Sequence, residues 1–220
     1  MLNMNRSEFT FADIFTILNG LFGMLAIANL GKEIALVYLS CAVACDGLDG
    51  FIARRSKTTK EMGIILDSLA DSISFVLFPA LCLFYFSANS GLESFFSSLL
   101  SFVFLSCGLL RLARFTVQDS EARHFRGLPA PAAALILYLL IQFSARVALF
   151  ASPILSALMI SRIEYPKIRG KIALPAGFLL LLVVLSYFIP ILKFSEFLLF
   201  LLLLVYACSP LFSFVFPNRL

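Results

Sequence analysis

Asp46 and Asp49 stand three residues apart, and Asp67 and Asp71 four apart, each pair set in a run of otherwise apolar residues. At helical spacing, residues three or four apart share a face, so each pair presents two carboxylates in one direction. An ionised aspartate near the centre of a membrane-crossing helix costs about 2.5 to 3.5 kcal/mol to insert. Four of them therefore need a cationic compensator, and no lysine lies within either run. Clustered carboxylate oxygens suit hard divalent cations such as Mg²⁺, Mn²⁺ or Ca²⁺. The four aspartates read as metal ligands facing a cavity.

Gly47, Gly50 and Gly63 remove side chains close to these carboxylates, which allows either close helix packing or close approach of a bulky ligand. Arg54, one turn beyond Gly50, is a planar cation beside the acidic pairs, as phosphate recognition requires.

The elements that must hold these residues are membrane helices. The chain of 220 residues is 61% hydrophobic and 14% charged, with 25 phenylalanines and a mean hydropathy of +0.99. Such a composition excludes a soluble domain and predicts an all-α, polytopic transmembrane bundle forming a single domain over 1–220. Apolar runs predict helices at 13–31, 33–54, 62–87, 93–115, 171–190 and 194–215. The stretch 129–161 is too long for one crossing, and Arg146 and Pro153 favour a break within it. Two crossings there give about eight helices, a six-helix catalytic core plus two, with both termini on the cytoplasmic side. Of the 17 Lys and Arg, only Lys32, Arg146 and Lys193 then fall outside, as the positive-inside rule requires; a re-entrant hairpin satisfies the same distribution. The net charge of +4 follows from that topology and calls for no nucleic acid. Ala26-Ile27-Ala28 resembles a signal-cleavage site, but Arg6 is offset by Glu8 and Asp13, so 13–31 is expected to be the first membrane helix. The five cysteines lack metal-ligand spacing and read as small buried hydrophobes. Measured along the helices from Arg54 and Lys60, Asp46 and Asp49 lie about 12 and 7.5 Å deep, and Asp67 and Asp71 about 10 and 16 Å. The two pairs thus overlap in depth on consecutive antiparallel helices.

The pattern D-x2-D-G-x2-A-R-x8-G-x3-D-x3-D is complete here as Asp46, Asp49, Gly50, Ala53, Arg54, Gly63, Asp67 and Asp71. At these residues the chain resembles the CDP-alcohol phosphatidyltransferase family. The resemblance implies a cell-membrane enzyme, its site facing the cytoplasm, that displaces CMP from a CDP-linked lipid with divalent metal, two ions in the Mg²⁺ or Mn²⁺ class. It implies Asp46, Asp49 and Asp67 as metal ligands, and Asp71 as general base first and ligand second. Gly47, Gly50, Arg54 and Gly63 would line the CDP-lipid site. Asn19, in the first helix, would approach the nucleotide or else make an interhelical hydrogen bond. Lys57 and Thr58 would meet phosphate or be plain loop residues. A homodimer is also implied.

Residues 109–134, with Arg111-Leu112-Ala113-Arg114-Phe115 and Phe125-Arg126-Gly127-Leu128-Pro129, resemble the serine-transferring branch of that family. Residues 161–168 do so less specifically. CDP-diacylglycerol or CDP-archaeol would then be the donor and L-serine the acceptor, with Arg111, Arg114, Arg123 and Arg126 on the serine side. Thr116 departs from the asparagine expected after the Arg-Phe pair. Arginines serve the phosphate of glycerol 3-phosphate or inositol phosphate equally well, so charge alone does not choose the acceptor. A divalent-cation path would also place aspartates in a membrane, but it gives no reason for the Gly50, Ala53, Arg54 and Gly63 spacing. Gly127 to Pro131 reads as a turn that opens a helix, and His124 as a loop residue.

Overall fold

The chain forms a helical bundle, seen in a computed structural model that describes residues 10–56, 61–87, 92–119, 124–166 and 173–215. In order, α1 spans Phe11–Ala28, α2 Ile34–Ser56, α3 Glu61–Asp71, α4 Phe78–Ser87 and α5 Leu92–Arg114. They are followed by α6 (Ala130–Phe143), α7 (Ala145–Ile160), α8 (Ala173–Ser186) and α9 (Phe194–Val215). α3 and α4 form one rod through a π-helical turn at Ser72–Leu77, which makes eight rods among the described residues. Pro79 supplies a reason for that turn. It has no N–H for the carbonyl of Phe75 and its ring crowds that carbonyl, so a wider turn relieves the clash. The amide of Phe78 bonds instead to the carbonyl of Ile73, five residues back.

Among the described residues, five segments are long and apolar enough to cross a membrane: Phe11–Ala28, Ile34–Ala53, Met62–Phe86, Glu93–Val117 and Pro190–Pro210. α6, α7 and α8 are shorter; at 1.5 Å per residue α6 rises about 21 Å and α7 about 24 Å, below a hydrocarbon core of about 30 Å. α6 is apolar all round and almost wholly buried from Ala130 to Ile141, so it is the central post of the bundle rather than a lipid-facing helix. Pro129 and Pro131 open it, as the sequence suggests.

The break expected within 129–161 falls at Ser144, in extended backbone, two residues before Arg146. Pro153 lies inside α7, where the hydroxyl of Ser152 donates to the carbonyl of Leu149 at 2.9 Å. That carbonyl is the one the missing Pro153 amide leaves open, so the helix continues. Of the cysteines, Cys45 and Cys82 are buried as expected, whereas Cys208 lies on the exposed face of α9.

Two short strands have no counterpart in the sequence reading. β1 (His124–Arg126) pairs antiparallel with β2 (Glu164–Pro166), with Phe125 opposite Tyr165 and Arg126 opposite Glu164. His124 therefore belongs to a strand rather than a loop. The pair joins the chain entering α6 to the chain leaving α7, continued by Gly127 N–H to Ile163 O at 2.8 Å and Leu128 N–H to Leu158 O at 3.0 Å. Gly127 has φ +78°, and a Cβ there would run into the carbonyl of Met159. Gly127→Ala is expected to cost about 1–3 kcal/mol through the left-handed backbone and that clash. Thermal unfolding in detergent would show it as a lowered Tm, and an unchanged Tm would contradict it.

Candidate active site

α1 packs along both α2 and α3, and the stripe Asp13, Thr16, Asn19 and Gly23, repeating every three to four residues, is the face it buries. Small residues bring the rods together. A Cβ on Gly20 would sit 3.5 Å from Ala70 Cβ, and one on Gly23 would meet Ser74, 2.7 Å from its Cα. Ser74 uses that proximity to donate its hydroxyl to the carbonyl of Asn19 at 2.8 Å. Asp13 is spent locally: its carboxylate accepts the amide of Thr10 at 2.6 Å and closes the start of α1.

α2 and α3 carry the four aspartates. One carboxylate oxygen each from Asp46, Asp49 and Asp67 lies within 4.8 Å of the other two. These carboxylates are buried or half-buried, and Asp67 Oδ1 is buried with no hydrogen-bond partner among the described residues. Three converging anionic oxygens, one of them without a donor, fit a divalent cation. Asp71 stands apart from that trio. Its Oδ1 accepts Asn19 Nδ2 at 2.9 Å, within electrostatic reach of Asp46 and Asp67. The Asn19 side chain thus makes the interhelical bond that was the alternative to a nucleotide contact.

Thr16 was missed in the sequence reading. Its hydroxyl donates to Asp49 Oδ2 at 2.8 Å, fixing which way that carboxylate presents its other oxygen. The available signal was its position three residues before Asn19 on an apolar helix. Thr16→Val, which keeps the shape and removes the donor, is expected to weaken divalent-metal affinity about 10- to 100-fold. Titration with Mn²⁺ measures this, and wild-type affinity in the variant would remove Thr16 from the site.

The glycines divide. A Cβ on Gly47 would meet nothing within 4 Å, so packing does not require glycine there and the space beside the carboxylates is open. A Cβ on Gly63 would lie 3.2 Å from Asp13 Oδ1, so that glycine serves the approach of α1 to α3. Gly50 is half-buried on α2. Lys57, Thr58 and Arg123 lie outside the described residues, and for Arg54 only the backbone is described.

The two arginines that close α5 part company. Arg111 is 6% exposed, with its guanidinium 5.6 Å from the centre of the Phe115 ring and within electrostatic reach of Asp46, Asp67 and Asp71. Arg114 turns to α7, donating from Nη1 to the carbonyl of Ile160 at 2.9 Å, the helix end where a cation is favoured. Arg126 is exposed on β1. Thr116 lies in a second π-helical turn, Phe115–Asp119. Its hydroxyl bonds to that of Ser68, between Asp67 and Asp71, and to the carbonyl of Leu112 at 2.9 Å.

The sequence profile of the CDP-alcohol phosphatidyltransferases matches residues 9–163, which include all four aspartates and the helices that carry them. The chain belongs to this family. Among curated proteins, it is 38% identical over 169 residues to a CDP-diacylglycerol–serine O-phosphatidyltransferase of Methanocaldococcus jannaschii, covering 76% of this chain and 79% of that one. It is 34% identical over 166 residues to an archaetidylserine synthase of Methanothermobacter thermautotrophicus, covering 72% and 70%. To a CDP-diacylglycerol–serine O-phosphatidyltransferase of Helicobacter pylori it is 35% identical over 197 residues, covering 81% of each. As a CDP-alcohol phosphatidyltransferase, the protein carries its acidic pattern on α2 and α3, and the stripe of α1 orients two of those four carboxylates.

Proposed function

We propose that this phosphatidyltransferase moves the phosphatidyl group of CDP-diacylglycerol, or of the archaeal ether-lipid equivalent, onto the hydroxyl of L-serine and releases CMP. The observation that carries the reading is the meeting of Asp46, Asp49 and Asp67 within 4.8 Å. The names of the relatives support serine as acceptor.

The three carboxylates would hold Mg²⁺ or Mn²⁺, two ions in our reading, and metal held there would neutralise the charge of the diphosphate. Gly47, Gly50 and Arg54 would serve the donor, Gly47 by leaving space beside the backbone of α2. Asp71, held by Asn19, accepts the proton of the serine hydroxyl. The serine oxygen then bonds to the phosphorus that carries the diacylglycerol, and the bond from that phosphorus to the oxygen of CMP breaks. Arg111 is the cation for the serine carboxylate; Arg114 holds the end of α7 from the same helix. The site faces the cytoplasm of the cell membrane, a reading supported by the concentration of Lys and Arg on that side of the helices.

The purified chain, given CDP-diacylglycerol or CDP-archaeol with Mn²⁺ and one acceptor at a time, tests this through CMP release. L-serine is expected to drive it. Release with glycerol 3-phosphate or inositol phosphate, and none with serine, would overturn the acceptor.

A further inference from the structure

Asn19 on α1 bonds to the α3–α4 rod through both its side chain and its main chain. Its Nδ2 donates to Asp71 Oδ1 at 2.9 Å, and its main-chain carbonyl accepts the hydroxyl of Ser74 at 2.8 Å. All three residues are buried, Asn19 and Ser74 completely. Ser74 reaches that carbonyl because α1 is bare one turn further on, where a Cβ on Gly23 would lie 2.7 Å from the Ser74 Cα. α1 packs against α3 and against the π-helical turn that holds Ser74. Asp71 ends α3 and Ser74 lies within the turn that follows, so Asn19 is gripped from both sides of that junction.

We propose that Ser74 is a positioning residue for Asp71, acting through Asn19: its hydroxyl fixes where α1 stands against the rod, and with it where Asn19 Nδ2 meets the carboxylate. The proposal rests on the reading of Asp71 as the base given above. The last torsion of an aspartate or asparagine side chain is soft, so neither group orients itself. A hydrogen bond between them does so only while the two backbones keep a constant separation. The Ser74 hydroxyl supplies that constraint on the stretch of rod directly after Asp71. With Oδ1 engaged by Asn19, Asp71 Oδ2 takes the proton of the serine hydroxyl. A misplacement of about 1 Å at such a group can cost on the order of a hundredfold in rate.

In the full chain with Mn²⁺ and saturating serine, Ser74→Ala is expected to lower kcat for CMP release about tenfold or more, measured per folded protein. The KM for CDP-diacylglycerol and the Mn²⁺ affinity should stay within about twofold of wild type, since neither is bound through Ser74. Asn19→Ala removes the side chain that holds Asp71 and keeps the carbonyl that Ser74 bonds, so the two substitutions form a double-mutant cycle. Because Ser74 acts through the Asn19 side chain, adding Ser74→Ala to Asn19→Ala should lower kcat by less than about twofold further. A further loss of about tenfold would mark a purely structural role and overturn the proposal. An unchanged kcat in Ser74→Ala would do the same. Should Ser74→Ala not fold, Ser74→Cys, which keeps the shape with a much weaker donor, reads the same cycle. Asp71→Asn at wild-type kcat would sink the base itself, whereas an impaired Asp71→Asn beside an unaltered Ser74→Ala would remove Ser74 alone.

Discussion

Asp67→Ala should abolish CMP release, lowering the rate by at least about a thousandfold, which corresponds to roughly 4 kcal/mol of lost transition-state stabilisation. Asp67 is the sharpest of the three trio positions to test, because its Oδ1 is buried and accepts no hydrogen bond among the described residues. No hydrogen bond among the described residues offsets that oxygen's desolvation, which a bound cation would. The variant should bind divalent metal more weakly while the helices stay packed, since alanine is tolerated in a helix and Asp67 is half-buried. Asp46→Ala and Asp49→Ala should behave alike, for their oxygens complete the same cluster. Removing one carboxylate from a purely structural polar patch in a membrane helix would instead stabilise the fold, because it relieves an insertion cost. Activity retained in a more stable Asp67→Ala protein would therefore contradict the metal assignment. Rate measurements, Mn²⁺ binding and unfolding on the same preparation separate these outcomes.

Asp71→Asn should lower kcat by about 10²- to 10⁴-fold, the usual contribution of a positioned acid or base, while CDP-diacylglycerol binding stays near wild type. The amide keeps an oxygen at the position that accepts Asn19 Nδ2 at 2.9 Å, so the contact between α1 and α3 survives. What it loses is the ability to take a proton. Asp71 also lies outside the trio of converging oxygens, which is why rate and metal affinity should part here and move together at Asp67. Loss of donor binding as large as the loss of rate would make Asp71 a ligand rather than a base. Kinetics at saturating serine, combined with equilibrium binding of the CDP-lipid, decide between the two.

The aspartates were legible because charge inside a membrane helix is costly and their spacing puts each pair on one face; α2 and α3 bring them together as that spacing requires. α9 falls at 194–215 in both the sequence reading and the structure, since nothing but a long apolar run was needed to see it. The partners of the aspartates were harder to read. Asn19 stood out as an amide in an apolar helix, whereas Thr16 did not, because threonine is unremarkable in a membrane helix until its hydroxyl is seen on Asp49. Arg111 and Arg114 have the spacing of a shared face, yet Arg111 is buried against the Phe115 ring while Arg114 reaches another helix. Arg114 ends α5 beside the last turn of α7, and which helix ends abut is a tertiary fact with no local signature. Strands of three residues are too short to show a twofold alternation, so β1 and β2 were invisible although both lie in segments that carry the family resemblance. The break expected in 129–161 is present, but α7 runs on through Pro153, because a neighbouring serine can satisfy the carbonyl that proline leaves open. The π-helical turn after Asp71 had its cause in Pro79, seven residues past the kink's start, where the apolar run gave no hint of interruption.

The most direct test of carboxylates converging from two helices to hold a metal-bound diphosphate is CMP release from CDP-diacylglycerol and serine by chelator-stripped protein, before and after Mn²⁺ is restored. Release should fall to background on stripping and return with Mn²⁺, and it should not return in Asp67→Ala. Undiminished release in the rigorously metal-free buffer would contradict the assignment at its root.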